Sequence, residues 1–171
     1  MLIAAPLKDG KPDLESAKQG SAVAVSTQHL LTNCHTLEAS EVIIIFRLDG
    51  SEAVFPAWLV RDDKKTDRCV LAIKEAELST AVPIRSSSEL RIGERVYSVG
   101  APSGLDLTIG EGLLSGKRVE GDILHLQNSA PISPGSSGGG LFDKRGNLIG
   151  ITSFLLQDAQ NLKFYDLRQS E

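Results

Sequence analysis

One stretch, Pro134-Gly135-Ser136-Ser137-Gly138-Gly139-Gly140-Leu141, places six small residues in a row. Such residues fill no core and stiffen no helix, so the sequence requires nearly bare backbone at this point. A serine among glycines suits a tight loop that turns amide N–H groups toward one place beside a hydroxyl, which is how an oxyanion hole is built next to a nucleophile. A flexible Gly/Ser linker is the alternative that composition alone allows.

The segments on either side of this loop favour a site over a linker. Upstream, Asp122-Ile123-Leu124-His125-Leu126-Gln127 alternates in polarity as a strand does. Downstream, Leu141-Phe142 passes through a turn at 144–147 into Leu148-Ile149-Gly150-Ile151, which is a hairpin pattern. A loop held between paired strands is expected to form a site, whereas a linker joins domains.

Length, composition and charge narrow the class of protein. With 171 residues, 41% of them hydrophobic, the chain can form one compact domain or two small subdomains. Its 16 glycines and 7 prolines, with few long helical periods, favour β structure. A net charge of -4 without a basic stripe argues against a nucleic-acid partner. No apolar run approaches the roughly 20 residues of a membrane span, and no secretion signal is visible at the N-terminus.

Short strands with turn signals about every ten residues predict a barrel or a sandwich. The strands predicted in the first half include 21–25, 29–32, 41–47, 52–60 and 69–73, with a hairpin turn at Asp49-Gly50. The segment 79–94 is rich in serine, proline and charge, so it is interpreted as the link between two halves. The strand pattern resumes at 95–99.

A serine nucleophile needs a base to take its proton and a carboxylate to orient that base. His35 follows a predicted strand end, and Asp67 lies just before the apolar strand that begins at Cys69. His35, Asp67 and Ser137 occur in that order, 32 and 70 residues apart, which is difficult to attribute to coincidence. A solvated turn aspartate is the alternative for Asp67. The other two histidines, His29 and His125, are interpreted as surface or interface residues.

Three motifs together resemble those of trypsin-like serine proteases, particularly the bacterial Deg/HtrA branch. They are Thr32-Asn33-Cys34-His35, Thr66-Asp67-Arg68-Cys69-Val70-Leu71 and Pro134-Gly135-Ser136-Ser137-Gly138-Gly139. The resemblance extends through 98–105 and 148–151 and covers roughly 20–165. It implies an all-β fold of two six-stranded antiparallel β-barrels with the active site in the cleft between them. The chain would then divide into an N-terminal tether or edge element at 1–19, an N-terminal barrel at 20–83, a linker at 84–94 and a C-terminal barrel at 95–171.

The resemblance also implies a role for each motif residue. Ser137 would attack the peptide carbonyl, His35 would act as general base and then general acid, and Asp67 would hold the imidazole tautomer. The oxyanion hole would lie at Gly135, Ser136 and Ser137, with the amides of Gly135 and Ser137 as its donors.

By the same resemblance, the strand Ser153, Phe154 and Leu155 would bind the substrate backbone by β-augmentation. Ser153 matches the serine that supports the catalytic aspartate. Pro131 and Ile132 stand where trypsin has an acidic pocket floor, so an apolar side chain of small or medium size is expected in that pocket. Lys163 would lie near the pocket wall, which leaves acidic side chains as an alternative; an outward-facing strand lysine is its other interpretation.

The two cysteines flank the proposed base and carboxylate. If His35 and Asp67 are hydrogen-bonded, Cys34 and Cys69 could lie within disulfide distance, which would fit an oxidising compartment such as the bacterial periplasm. Two buried free thiols in a reduced cytoplasm are the alternative. A metal site needs three or four convergent ligands, so neither a metal nor another cofactor is expected.

These inferences predict a serine endopeptidase that acts on polypeptides through an acyl-enzyme and is periplasmic or secreted, with a cytoplasmic location left open. The alternative is a catalytically silent peptide-binding module on the same fold, which would be expected to have lost a member of the triad. A cysteine peptidase using Cys34 is disfavoured, because adjacent strand residues point their side chains apart. An α/β acyl hydrolase is disfavoured because its serine would lie in a strand-to-helix turn.

Overall fold

Nearly all regular structure in this protein is β-strand. The computed structural model describes residues 1–48, 53–74, 78, 81–102, 107–155 and 162–165, with 154–155 and 162–165 given as strand backbone only. Within these ranges the exceptions are two 3₁₀ helices, Cys34–Leu37 and Ser87–Glu89. The all-β prediction is therefore confirmed. No helix in these ranges is long and apolar enough to cross a bilayer.

The first half of the chain forms one antiparallel sheet and a small hairpin. Its strands are β1 (Leu2–Ala5), β2 (Leu7–Lys8), β3 (Lys11–Pro12), β4 (Lys18–Gly20), β5 (Val23–Ala24), β6 (His29–Thr32), β7 (Val42–Phe46), β8 (Val54–Asp63) and β9 (Arg68–Ile73). Strands β2 and β3 pair with each other, and the other seven are ordered β4-β1-β7-β8-β9-β6-β5. The predicted hairpin turn at Asp49-Gly50 lies outside the described residues.

The two edge strands of this sheet are neighbours in sequence. Only Ser21 and Ala22 separate β4 from β5, and three residues of extended chain span at most about 11 Å. The sheet must therefore curl until its edges approach each other. This curled sheet has seven strands, one more than the six that the resemblance implied for each barrel.

The first 19 residues also differ from the predicted tether or edge element. Strand β1 pairs with β4 on one side and with β7 on the other, so it lies inside the sheet. Leu2 and Ala4 are fully buried there. Their apolar side chains fill the first core, which is why this segment is part of the sheet.

The second half forms the predicted six-stranded barrel. Its strands are β10 (Arg95–Gly100), β11 (Thr108–Glu120), β12 (Ile123–Asn128), β13 (Gly140–Asp143), β14 (Leu148–Leu155) and β15 (Leu162–Tyr165). They close in the order β10-β11-β12-β15-β14-β13. Strands β13 and β14 are the hairpin predicted downstream of the glycine-rich loop, which leaves the loop itself between β12 and β13.

Each half has its own hydrophobic core, as two packed units require. Leu2, Leu30, Ile45, Leu71 and Ile73 are among the buried residues of the first core. The second core includes Val96, Leu114, Leu126, Leu141 and Ile149. Burying a side chain of this size contributes about 1.5–3 kcal/mol, so both halves are held by their own apolar contacts.

The predicted linker is fastened to the second barrel. The Leu148 amide donates to the Pro83 carbonyl (2.7 Å), and the Arg85 amide donates to the Leu148 carbonyl (3.0 Å). The Arg85 guanidinium then donates to Glu94 (2.7 Å) and to Asp143 (3.2 Å). Hydrogen bonds from Arg85 outweigh burial and hold the pKa of Glu94 below its ordinary value.

Asp143 is the polar centre of the β13–β14 turn. Its side chain is 4% exposed and accepts hydrogen bonds from the amides of Arg145 (2.8 Å) and Asn147 (3.0 Å) and from the Asn147 side chain (2.9 Å). Burial alone would raise its pKa, but these bonds and the one from Arg85 lower the pKa below the ordinary aspartate value. The carboxylate is therefore ionised while buried.

Candidate active site

His35 and Asp67 are joined directly. The 3₁₀ helix Cys34–Leu37, which follows β6 after one residue, carries His35. The His35 ring Nδ1 lies 2.6 Å from Asp67 Oδ2, and the His35 backbone amide donates to Asp67 Oδ1 (2.9 Å). A neutral imidazole that donates from Nδ1 keeps Nε2 as an acceptor. One carboxylate thus fixes both the ring and the backbone of the histidine.

Asp67 itself adopts a strained backbone conformation. Its φ is 54°, in the left-handed region, which costs a residue other than glycine about 1–3 kcal/mol. Two hydrogen bonds to the Asp67 carbonyl stabilise this conformation, one from the Asn33 side chain (2.9 Å) and one from the Cys34 amide (3.3 Å). Asn33 is fully buried. The residues around His35 therefore also position Asp67.

The Asp67 carboxylate is ionised despite being partly buried. Burial alone would raise its pKa, but hydrogen bonds from the His35 ring and amide, the charge of His35 and a bond from the Ser153 hydroxyl lower the pKa below the ordinary value. The Ser153 hydroxyl donates to Asp67 Oδ2 at 3.0 Å. This is the contact expected from a serine that supports the carboxylate.

A disulfide ties the two elements that carry His35 and Asp67. Cys34 and Cys69 are bonded, with their Cα atoms 5.0 Å apart. Cys69 lies in β9, opposite Thr32 of β6. The bridge therefore links the start of the 3₁₀ helix to the strand that follows Asp67.

The loop that carries Ser137 lies against both halves of the molecule. The Gly138 amide donates to the Thr152 carbonyl in β14 (2.8 Å). Gly138 has a φ of 83°, and a Cβ on it would stand 2.1 Å from the Ser21 carbonyl oxygen and 2.3 Å from the Thr32 hydroxyl. No side chain fits in that space, so glycine is required for the loop to lie this close to the first sheet.

Ser153 connects Ser137 to the His35–Asp67 pair by two hydrogen bonds. The Ser137 hydroxyl donates to the Ser153 carbonyl (3.1 Å), while the Ser153 hydroxyl donates to Asp67. Within the described residues the Ser137 hydroxyl makes that hydrogen bond and none to His35. A change of χ1 to another staggered rotamer is the motion that redirects a serine hydroxyl.

The three residues predicted for the oxyanion hole are not equivalent. The Ser136 amide donates to the Ser133 carbonyl (2.9 Å), so Ser136 is not a donor to a ligand here, and its inclusion in the prediction is corrected. The amides of Gly135 and Ser137 make no hydrogen bond to any part of the chain that the structure describes. The Gly139 amide donates to the Ser136 carbonyl (2.9 Å), which orients the Ser136–Ser137 peptide.

An uncharged cavity of about 320 Å³ adjoins this loop. Pro131, Ile132 and Thr152 are among its lining residues, together with parts of β10 and β11. The Ser98 hydroxyl donates to the Pro131 carbonyl (2.9 Å) and so fixes its wall. A larger cleft of about 700 Å³ lies between the linker and the β13–β14 turn, is lined mainly by charged residues and contains no triad residue.

For three predicted substrate-binding residues the structure describes the strand backbone only. Phe154 and Leu155 continue β14 beyond Ser153, and Phe154 pairs with Lys163 of β15. The side chains of Phe154, Leu155 and Lys163 fall outside the described residues.

The other two histidines lie away from this site. His29 is exposed, and its Nδ1 is 2.9 Å from the Ser26 hydroxyl. His125 is 4% exposed, with its Nε2 3.7 Å from a Glu120 carboxylate oxygen, so burial excludes the solvent-facing alternative of that prediction and leaves the interface alternative as a prediction. Alternation along a strand gives the face of a side chain but not what covers that face.

Two residues of this site were not predicted from the sequence. Asn33 holds the Asp67 carbonyl, and Ser21 contacts the Ser137 loop from the connection between β4 and β5. Asn33 lies within the histidine motif, so its position beside His35 was a usable signal. Ser21 follows a glycine at the start of a short strand, and nothing in that pattern points to a loop more than 100 residues away.

The chain belongs to the trypsin-like peptidase domain family, whose model matches residues 20–151. Within that family it is a Deg/HtrA-like domain. It is 34% identical over 147 residues to the periplasmic pH-dependent serine endoprotease DegQ of Escherichia coli, covering 83% of this chain and 32% of that protein. It is 33% identical over 165 residues to the serine protease Do-like HtrA of Bacillus subtilis, covering 88% of this chain and 36% of that protein.

Solved structures agree with this assignment. The HtrA-type protease AlgW with a tripeptide superposes with a TM-score of 0.80 at 30% identity, covering 96% of this chain and 54% of that chain. The two-barrel trypsin-like fold implied by the sequence is thus confirmed. The chain spans about a third of the length of the curated relatives it matches.

Proposed function

We propose that this chain is a serine endopeptidase domain that hydrolyses peptide bonds through Ser137, His35 and Asp67. The observation that carries the proposal is one continuous set of contacts, in which His35 and Ser153 both bind the Asp67 carboxylate and Ser153 also binds the Ser137 hydroxyl. Relatives named as serine endoproteases support the same activity.

The proposed reaction begins when the Ser137 hydroxyl turns from the Ser153 carbonyl toward His35. Ser137 Oγ bonds to the carbonyl carbon of the substrate while its proton passes to His35 Nε2. Collapse of the tetrahedral intermediate breaks the C–N bond, and the imidazolium gives its proton to the leaving amine. Water then attacks the acyl-enzyme by the same route, releasing the acid and restoring the Ser137 hydroxyl.

Two backbone amides would stabilise the negative charge of the intermediate. The N–H groups of Gly135 and Ser137 are not used by the described residues, and they flank the serine hydroxyl. Removing one such donor costs about 2.7–4 kcal/mol in a serine protease of another fold. The ionised Asp67 would stabilise the imidazolium that forms during the attack.

The proposed substrate is an extended polypeptide. Strand β14 would bind the substrate backbone beyond Ser153 by β-augmentation. Main-chain hydrogen bonds give the affinity in this mode, so binding would depend little on the substrate's side chains. The uncharged 320 Å³ cavity beside Pro131 and Ile132 favours a small or medium apolar side chain at the cleaved bond over lysine or arginine. An oxidising compartment is proposed on two grounds, the Cys34–Cys69 disulfide and the relatives named as periplasmic.

A fluorophosphonate probe tests the proposal at its central atom. Wild-type protein should be labelled at Ser137 and should cleave peptides from a random library, whereas Ser137→Ala should do neither. Ser26→Ala is the matched control, because it removes a hydroxyl from an exposed turn of the first sheet.

The same experiment separates the alternative function. A folded wild type that is neither labelled nor active, yet binds extended peptides as tightly as Ser137→Ala does, would favour the silent peptide-binding module. A library profile dominated by acidic residues at the cleaved bond would transfer the specificity to Lys163.

A further inference from the structure

Ser21 is buried between the two halves of the molecule, with 3% of its surface exposed. Its amide donates to the Ser137 carbonyl (2.7 Å), and its hydroxyl donates to the Gly135 carbonyl (2.9 Å). The same hydroxyl accepts from the Ala101 amide (2.9 Å), and the Ser21 carbonyl accepts from the Thr32 hydroxyl (2.7 Å). One serine thus contacts the loop, the end of β10 and strand β6.

The Ser21 hydroxyl is both a donor and an acceptor in these contacts. A hydroxyl has one proton to donate, and here that proton goes to the Gly135 carbonyl while an oxygen lone pair receives the Ala101 amide. Alanine at this position would leave the Gly135 carbonyl and the Ala101 amide without their partner at a buried position.

The two carbonyls that Ser21 holds are those of Gly135 and Ser137. They flank the peptide unit that carries the Ser137 N–H. Because a peptide unit is planar, fixing the carbonyls on both sides limits how that N–H can turn. The carbonyl between them, on Ser136, accepts a hydrogen bond from the Gly139 amide.

Close packing leaves this contact little freedom. The Ser21 carbonyl would lie 2.1 Å from a Cβ placed on Gly138, and the Ser21 hydroxyl would lie 3.2 Å from a Cβ placed on Gly100. Both positions are glycine, so the backbone of the loop reaches the backbone of residue 21. A short connection between the edges of the first sheet therefore forms the seat of the loop in the second half.

We propose that Ser21 is a positioning residue for the oxyanion hole. Its hydroxyl and amide hold the Gly135–Ser137 backbone so that the Ser137 N–H meets the developing oxyanion, and its carbonyl couples that backbone through Thr32 to the strand that leads to His35. This inference rests on the proposed endopeptidase function and adds a residue outside the triad to it.

The expected effect is on the chemical step. In Ser21→Ala, kcat should fall by about 10- to 100-fold, as a small displacement of catalytic groups does, and KM should stay within about twofold, because the strand that would bind the substrate is unchanged. A peptide boronate, whose oxygen occupies the oxyanion position, should bind about 10- to 100-fold more weakly. A product peptide of the same sequence should bind as it does to wild type.

The test compares wild type, Ser21→Ala and the control Ser26→Ala in kcat, KM, boronate affinity and product affinity. Selective loss of kcat and boronate affinity in Ser21→Ala alone supports the inference, and a kcat within twofold of wild type overturns it. Equal loss of product and boronate affinity also overturns it, since that pattern marks general damage. An inactive wild type removes the proposed function and this inference together.

A thermal melt shows whether Ser21→Ala folds. If it lacks a cooperative transition, Thr32→Val takes its place, since it removes the hydrogen bond to the Ser21 carbonyl while keeping the shape of the side chain. A selective loss of kcat in Thr32→Val supports the inference, and an unchanged kcat overturns it.

Discussion

Reducing the Cys34–Cys69 disulfide should destabilise the protein while leaving its sequence intact. The bridge closes a loop between residues 35 positions apart. In the chain-entropy model, closing a loop of that length raises the free energy of the unfolded state by about 3.8 kcal/mol at 25 °C. Because small domains are stable by only about 5–15 kcal/mol, this is a large share of the total.

Urea denaturation of the oxidised and reduced protein measures the effect. At a typical slope of about 1–3 kcal/mol per molar urea, the midpoint should fall by roughly 1.3–4 M on reduction. The double variant Cys34→Ala/Cys69→Ala is the control, since its midpoint should not respond to the reductant.

Two results would refute the reasoning. Two titratable thiols in the denatured, unreduced protein would show that the bridge is not formed. If the bridge is formed in the oxidised protein, yet the oxidised and reduced proteins differ by less than about 1 kcal/mol in free energy of unfolding, something other than the disulfide constrains the loop in the unfolded state.

Three further predictions concern single side chains. The pKa of Asp143 is lowered in the folded protein, so its hydrogen bonds, including that from Arg85, stabilise the fold above the unfolded pKa of about 3.9, and this stabilisation is lost as the pH falls through the folded pKa. In urea denaturation, wild type should be more stable than Asp143→Asn by about 1–3 kcal/mol at pH 7, and this difference should shrink below pH 4. A difference that does not change with pH would contradict the prediction. Gly138→Ala should lower the free energy of unfolding by more than about 2 kcal/mol, since it adds a Cβ at a φ of 83°; an unchanged thermal midpoint would show that the loop can move aside. Ser153→Ala should lower kcat/KM by about tenfold, or about 1.4 kcal/mol, because Asp67 loses a hydrogen bond; peptide hydrolysis at wild-type rate would exclude that role.

Much of the candidate site could be predicted from the motifs, because the chemistry of those residues resides in their side chains. An imidazole, a carboxylate and a hydroxyl in three motifs of that order are uncommon, and in the structure the His35 ring lies 2.6 Å from Asp67. The turn residues at 144–147 between two apolar runs likewise predicted the hairpin of β13 and β14.

Other features of the site have no such signal. The conformation of the Ser137 hydroxyl, which donates to Ser153, depends on which acceptor lies nearest in the folded protein. The burial of His125 depends on what covers the outer face of β12. Neither can be read from the residues beside them in the chain.

The sequence by itself determined the family of folds and named the residues of the proposed triad, while it left open whether the two cysteines are bonded. Only the tertiary structure decided that Leu2–Ala5 lies inside the first sheet, that the Ser136 amide is already occupied, and that Ser21 holds the Ser137 loop. The physical reason is that those contacts are made largely by backbone amides and carbonyls. Every residue but proline carries both groups, so their pairing leaves no mark in the order of the side chains.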